Sequence, residues 1–201
     1  MRVKLKYLFI IFSIVIVIVI STILLISPTK YPSTLSKSVS VTSFTALSHA
    51  TSDVCIFGIT QTNSFIDSKP NGSYLQGSCC TYMVYSTYNK QITGLKEYSN
   101  ISEIPQDPYN VSVSLVKQML QYWNATLTPQ QNATLTAALA ITKQMGGDPG
   151  YCCCQCWAWY FHEGLLKYLI LHYNMSAENL GNVLYLEDCC GGTLGSPGFN
   201  A

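Results

Sequence analysis

The sequence predicts an α+β protein: an N-terminal transmembrane helix, a small antiparallel β region, then a C-terminal half of four antiparallel helices fastened by disulfides. Three observations carry this reading. Apolar side chains fill the chain from Tyr7 to Ile26 without a charge. Between residues 107 and 187, helix-capping residues recur ahead of apolar residues spaced by three or four. The 9 cysteines fall at Cys55, Cys79 and Cys80, Cys152, Cys153, Cys154 and Cys156, and Cys189 and Cys190.

With 201 residues the chain can build one domain with a real core once a targeting segment is set aside. Charged residues make up 10% and the net charge is +1, whereas a typical domain is about 25% charged. No basic stripe follows residue 6, so the electrostatic footprint of a nucleic-acid binder is missing and no nucleic-acid partner is expected. A hydrophobic content of 48% with 14 tyrosines sets the chain apart from disordered ones.

Arg2, Lys4 and Lys6 precede the apolar run. At a rise of about 1.5 Å per residue, about 20 residues cover roughly the 30 Å of bilayer hydrocarbon. A cleavable signal has an apolar core of about 7–15 residues and a small-x-small cleavage site. This run is longer and stops at Ser27-Pro28-Thr29. The expectation is an uncleaved signal-anchor over 7–27, with a removed signal as the alternative. Its lipid bilayer partner would hold residues 1–6 on the cytoplasmic side and the rest outside. Residues 28–50, rich in Ser and Thr with Pro28 and Pro32, read as an extended stalk. Six Asn-x-Ser/Thr sequons follow, at Asn71, Asn100, Asn110, Asn124, Asn132 and Asn174. Downstream of such a span they are expected glycosylation sites.

Residues 51–106 read as the β-rich part of this outer domain, with strands at 54–60 and 80–88 and turns at Asn71-Gly72 and Gly77. Residues 107–190 read as helical. Asp107-Pro108 would start a helix whose one face carries Val113, Val116, Met119, Leu120 and Trp123. Thr128 and Gln131 form a capping box for a second, which ends at Gly146-Gly147. A third spans 153–173, with Trp157, Phe161, Leu165, Tyr168, Leu169 and His172 in step; Ser176 caps a fourth ending near Glu187. Residues 191–201 form a flexible tail.

Short connections make successive helices antiparallel. That topology gathers Asn124, Asn132 and Asn174 at one pole, and Cys152, Cys153, Cys154 and Cys156 with Cys189 and Cys190 at the other. At least one disulfide is expected between those cysteine groups. Adjacent cysteines rarely bond each other, so each doublet can tie to two places. The odd count leaves one thiol over, or one available to a partner chain. Asp148, Glu187 and Asp188 could gather near the same pole.

A catalytic alternative attaches to Cys156. The stretch Cys153-x-x-Cys156-Trp157-Ala158-Trp159 is similar to the one around the active cysteine of papain-like proteases. Ala158 and Leu165-Leu166-Lys167 resemble the helix after the cysteine in transglutaminase-like proteins. The resemblance implies an extracellular thiol enzyme with Cys156 as nucleophile, its thiolate favoured at a helix N-terminus. Both families place a base histidine far downstream, followed by Asn or Asp. Here His162 and His172 follow on the cysteine's own predicted helix, and His49 lies in the stalk. Cys153-x-x-Cys156 also has thioredoxin-type spacing, without a βαβ pattern around it. The cysteine spacing matches no common zinc finger, and His162-Glu163 is followed by Leu166 where a zinc-protease helix needs histidine. The leading expectation therefore has no enzyme activity, cofactor or metal, and places Trp123, Trp157 and Trp159 in the core.

The Ile- and Tyr-rich, charge-poor composition, single span and many sequons resemble, in composition and layout, the small single-span surface proteins of thermoacidophilic archaea and of the viruses infecting them. The resemblance implies a host- or virion-membrane protein without catalysis. The function expected is display of a glycosylated, disulfide-stabilised ectodomain in a structural or interaction role, with a protein partner or a second copy of the chain.

Overall fold

The computed structural model describes residues 33–52, 58–148, 150–152 and 154–192. The chain divides into two compact units, Met1–Ser38 and Val39–Ala201, of which the second is treated below. The expected cytoplasmic tail and span over 1–27, Cys55, Cys153 and the tail beyond residue 192 lie outside the described residues. Among the described residues no helix is long and apolar enough to cross a membrane.

The protein is α+β. In chain order come α1 (Ser33–Ser48), α2 (Ile59–Asp67), β1 (Tyr74–Gln76), α3 (Tyr85–Leu95) with a 3-10 turn at Lys96–Tyr98, β2 (Asn110–Ser112), α4 (Val113–Met119), α5 (Pro129–Gln144), α6 (Trp157–Tyr173) and α7 (Ala177–Leu186). The strands pair antiparallel with Leu75 opposite Val111, both buried.

Two expectations are corrected. The Ser/Thr-rich stretch read as an extended stalk is largely helical, as α1. Its hydroxyls turn inward on the backbone, Thr45 Oγ1 donating to the Val41 carbonyl at 2.9 Å. Phe44 packs edge-on to Tyr85 with ring centroids 5.2 Å apart, and Leu47 is buried. The region read as β-rich over 51–106 carries α2, α3 and the 3-10 turn, and among its described residues the three of β1 form a strand. The helical faces there bury Thr62 with Ile66, and Thr87, Tyr88, Gln91 and Leu95. That spacing is helical, but half of it is polar, so apolar periodicity alone could not show it.

Farther on, local chemistry places the helices. Asp107 makes a turn rather than a helix start: its Oδ1 accepts from Tyr109 N at 3.0 Å. Strand β2 follows, and the helix begins only after Ser112, whose Oγ accepts from Leu115 N. At α5 the Thr128–Gln131 capping box is complete in both directions and Pro129 opens the helix. Helix α6 starts at Trp157, later than the expected 153, because Cys156 has extended backbone. It ends on Asn174 in the left-handed conformation, and Ser176 caps α7 by accepting from Asn179 N.

Helix α7 lies along α5 in the same direction. Gly181 sits against Ala138 and Ile141, and four residues on, Tyr185 sits against Gly147. The Thr142 hydroxyl lies 3.1 Å from the Gly181 carbonyl. Helix α6 crosses the end of α4 so closely that a Cβ on Gly164 would collide with the Met119 carbonyl. Phe161, Leu165, Leu166 and Leu169 of α6 then fill the core with Val116, Met119, Leu180 and Val183.

Candidate functional site

The two ends of α6 differ in chemistry. At the start, seven cysteines from three distant stretches converge. Cys152 Sγ stands 3.2 Å from Cys190 Sγ and 3.9 Å from Cys156 Sγ. Cys79 Sγ is 3.6 Å from Cys80, 3.8 Å from Cys189 and 3.9 Å from Cys190. Cys80 Sγ lies 3.9 Å from Cys154 Sγ. The shortest of these separations exceeds the ~2.05 Å of a disulfide bond, so among the described residues none of the expected S–S bonds is present. The meeting of the 152–156 group with the 189–190 doublet is the one the helix order requires; Cys79 and Cys80 join it through contacts that helix order does not specify.

Each cysteine stretch is held by backbone. Gly77 N donates to the Tyr109 carbonyl at 2.9 Å, delivering the 79–80 doublet beside the second. Cys79 N then donates to Cys189 O at 3.0 Å, Thr81 N to Cys190 O at 2.9 Å, and Gly192 N to Tyr82 O at 2.9 Å. Gly191 is tight against the Thr81 and Tyr82 carbonyls at φ +86°, where a side chain would be both strained and in collision. From α3, the buried Gln91 amide donates to the carbonyls of Leu186 and Asp188 at 3.0 and 2.6 Å. It thereby satisfies orphan carbonyls at the end of α7, just before the doublet. Asp188 Oδ1 accepts from Cys190 N at 2.9 Å. The Tyr151 ring meets Trp159 edge-on at 5.4 Å, folding the third stretch onto α6.

Two buried ionisable groups stand by the cluster. His162 Nδ1 is 2.7 Å from the Tyr151 carbonyl; a carbonyl only accepts, so Nδ1 carries the proton. Burial holds its pKa below the ordinary value against the pull of the Tyr151 and Glu187 backbones. Glu187 is 1% exposed, and among the described residues neither of its carboxyl oxygens has a hydrogen-bond partner. Burial, with Asp107 nearby, pushes its pKa well above the ordinary carboxyl value.

The thiols are tightly coupled. Cys156, 1% exposed, is drawn toward the thiolate by the Cys152 and Cys79 thiols and, against burial, by the Trp159 and Ala158 N–H groups at the start of α6. Cys79 is pushed up by its sharing with Cys152, Cys156 and Cys189. Its bond with Cys79 favours the Cys189 thiolate, but burial and neighbouring charge outweigh that and raise it. Chemically the cluster can form disulfides or hold a soft metal. The sulfurs of Cys79, Cys152 and Cys156 lie within 4.8 Å of one another, as do those of Cys79, Cys80 and Cys190. Asp148, Asp188 and Cys190 also converge beside a cleft of about 10 Å³ lined by Thr142, Tyr151 and Tyr185, room for about one water.

For the thiol-enzyme alternative, Cys156 is buried and His162 and His172 both lie on its own helix. The ring of His172 stacks on Tyr168 at 4.3 Å, far along α6.

At the other end of α6, Tyr122 meets His172 at 5.5 Å, and Asn124 and Asn174 follow these two residues in the chain. Asn132 Nδ2 donates to the Leu127 carbonyl at 3.2 Å. Asn71, Asn100, Asn124, Asn132 and Asn174 are exposed; Asn110 is half-buried in β2, where its Oδ1 accepts from Gln76 at 3.0 Å. Glu103 binds the aromatic end, its oxygens accepting from Tyr168 at 3.0 Å and Tyr173 at 3.1 Å. No protein-family profile, curated protein or solved structure matches this chain.

Proposed function

We propose that this chain is a single-span membrane protein that displays a glycosylated, disulfide-stabilised domain outside the membrane in a structural or interaction role. The span is the charge-free apolar run over 7–27 behind Arg2, Lys4 and Lys6. The observation that carries the reading is the sulfur convergence. Three cysteine stretches far apart in the chain bring buried sulfurs to within 3.2–3.9 Å of one another. An arrangement of this kind locks a domain covalently in an oxidising compartment. Five of the six sequon asparagines are exposed, which leaves them open to modification on that side.

The test is topology in intact cells. With a C-terminal tag, external protease is expected to remove the tagged domain, and detergent-free washing to leave the chain in the membrane fraction. Replacing Asn124 and Asn174 by Gln is expected to lower the mass by two glycans. A washed-out chain of unglycosylated mass, protected from external protease, contradicts the reading.

A further inference from the structure

We propose that the cluster matures into three particular disulfides, Cys152–Cys190, Cys79–Cys189 and Cys80–Cys154, and that Cys156 stays a thiol. This wiring rests on the reading of the cluster as a covalent lock and specifies it.

The assignment follows from using each sulfur once. The shortest separation, 3.2 Å, joins Cys152 to Cys190. That commits Cys190 and leaves Cys79 the other member of the doublet, Cys189, at 3.8 Å. The backbone supports the same pair, because Cys79 N donates to Cys189 O and the two residues lie side by side. Cys79 and Cys80 are 3.6 Å apart, but bonding neighbours closes a strained ring that a trans peptide resists. Cys80 therefore turns outward to Cys154, at 3.9 Å. Both doublets then tie to two different places. Once Cys152 bonds to Cys190 and Cys79 to Cys189, both sulfur neighbours of Cys156 are consumed, so it keeps its thiol. The rival set, Cys79–Cys190 with Cys152–Cys156, uses two separations of 3.9 Å and leaves Cys189 buried without a bond.

Each bond removes two protons and two electrons from a pair of thiols. The acceptor is a disulfide-bearing oxidant: one cysteine thiolate attacks it, breaking its S–S bond to form a mixed disulfide and release the other oxidant sulfur as a thiol, and the second cysteine then displaces the remaining oxidant sulfur, also as a thiol. Cys80 is exposed and Cys154 half-buried, while the other two pairs are buried. The outer bond is therefore the first to open to an added reductant in the folded domain.

The experiment uses the full chain extracted into detergent, labelled with N-ethylmaleimide in denaturant without reduction, then sequenced by tandem mass spectrometry. Among these seven cysteines the wild type is expected to carry label at Cys156 alone. Cys80→Ser is expected to gain one label, at Cys154, and Cys154→Ser one at Cys80. Cys190→Ser is expected to expose Cys152, and Cys189→Ser to expose Cys79. Should the buried variants fail to fold, the outer pair still decides. If Cys80→Ser frees a cysteine other than Cys154, or the wild type is labelled elsewhere than at Cys156, the wiring is wrong while the lock stands. Label on all seven in the wild type removes the lock itself. Thiols that resist label until a chelator is added make the cluster a metal site and overturn the proposal.

Discussion

Helix α6 has a glutamate near each end, and the two are held in opposite ways. Glu187, beside the sulfur cluster, is buried with no hydrogen-bond partner for its carboxyl oxygens among the described residues. Glu103, at the aromatic end, is half-buried and accepts from Tyr168, Tyr173 and Ser102. Burial raises Glu103, but those hydroxyls outweigh it and draw its pKa below the ordinary value. Burial raises Glu187 without compensation. One end of the domain is thus dry, sulfur-rich and favoured by protonation; the other is wet, aromatic and favoured by ionisation. The difference shows that a short chain with few charges can still give its two ends opposite responses to pH.

The sharpest way to break the contrast is to remove the proposed sulfur lock. The bonds proposed for Cys79 and Cys152 close loops spanning 110 and 38 residues. By the chain-entropy relation each adds about 4–5 kcal/mol. Cys79→Ser combined with Cys152→Ser is expected to lower the thermal midpoint steeply, and dithiothreitol to do the same to the wild type. Equal midpoints with and without reductant would show that the sulfur end is no more constrained than the other.

The next effect lies between the ends. Gly164→Ala puts a methyl group on the Met119 carbonyl and forces α4 and α6 apart. A loss of about 2–3 kcal/mol is expected in denaturant unfolding, with Gly58→Ala, facing the flexible Gln61 side chain at φ +96°, as a milder comparison.

Smaller still are the pH responses, which carry opposite signs. The folded pKa of Glu187 lies above its unfolded one, so the folded state keeps a proton that the unfolded chain releases. Its contribution is complete below the ordinary carboxyl range and is lost as pH rises through the folded value. Glu187→Gln is expected to flatten the fall in melting temperature between pH 5 and pH 8, a range taken to lie above the carboxyl's usual pKa of ~4.3. Glu103 works the other way: its contribution is present above the unfolded pKa and lost as pH falls through the folded one. Glu103→Gln is expected to cost under about 1 kcal/mol at neutral pH, screened by solvent, and nothing in acid. Melting curves of Glu187→Gln over this range, and of Glu103→Gln from neutral pH down through the ordinary carboxyl range, measure the contrast directly.

What the sequence revealed follows the range of the interactions. Helices α5 and α7 were legible because their starts are written locally, in the Thr128–Gln131 pair and in Ser176. The sulfur pole was half legible, since helix order alone brings Cys152 toward Cys190. Cys79 and Cys80 were not, because they arrive through backbone bonds to residues 110 positions away. The Gly77 turn ahead of one doublet and Gly191-Gly192 after the other were the available signal, read only as turns and tail. Helices α2 and α3 are not legible in the sequence because Thr62, Thr87 and Gln91 are buried where an apolar pattern expects hydrocarbon.

The central claim is that the domain is a covalently locked outer module of a membrane protein. Peptide mass mapping of the membrane-extracted chain, run with and without reductant, tests it most directly by reading the N-terminus, the sequon asparagines and the sulfur partners together. The account predicts an intact Met1 peptide, added glycan mass at exposed sequons, and peptides containing Cys152 and Cys190 that separate only on reduction. An unmodified chain whose cysteine peptides are identical with and without reductant would contradict it.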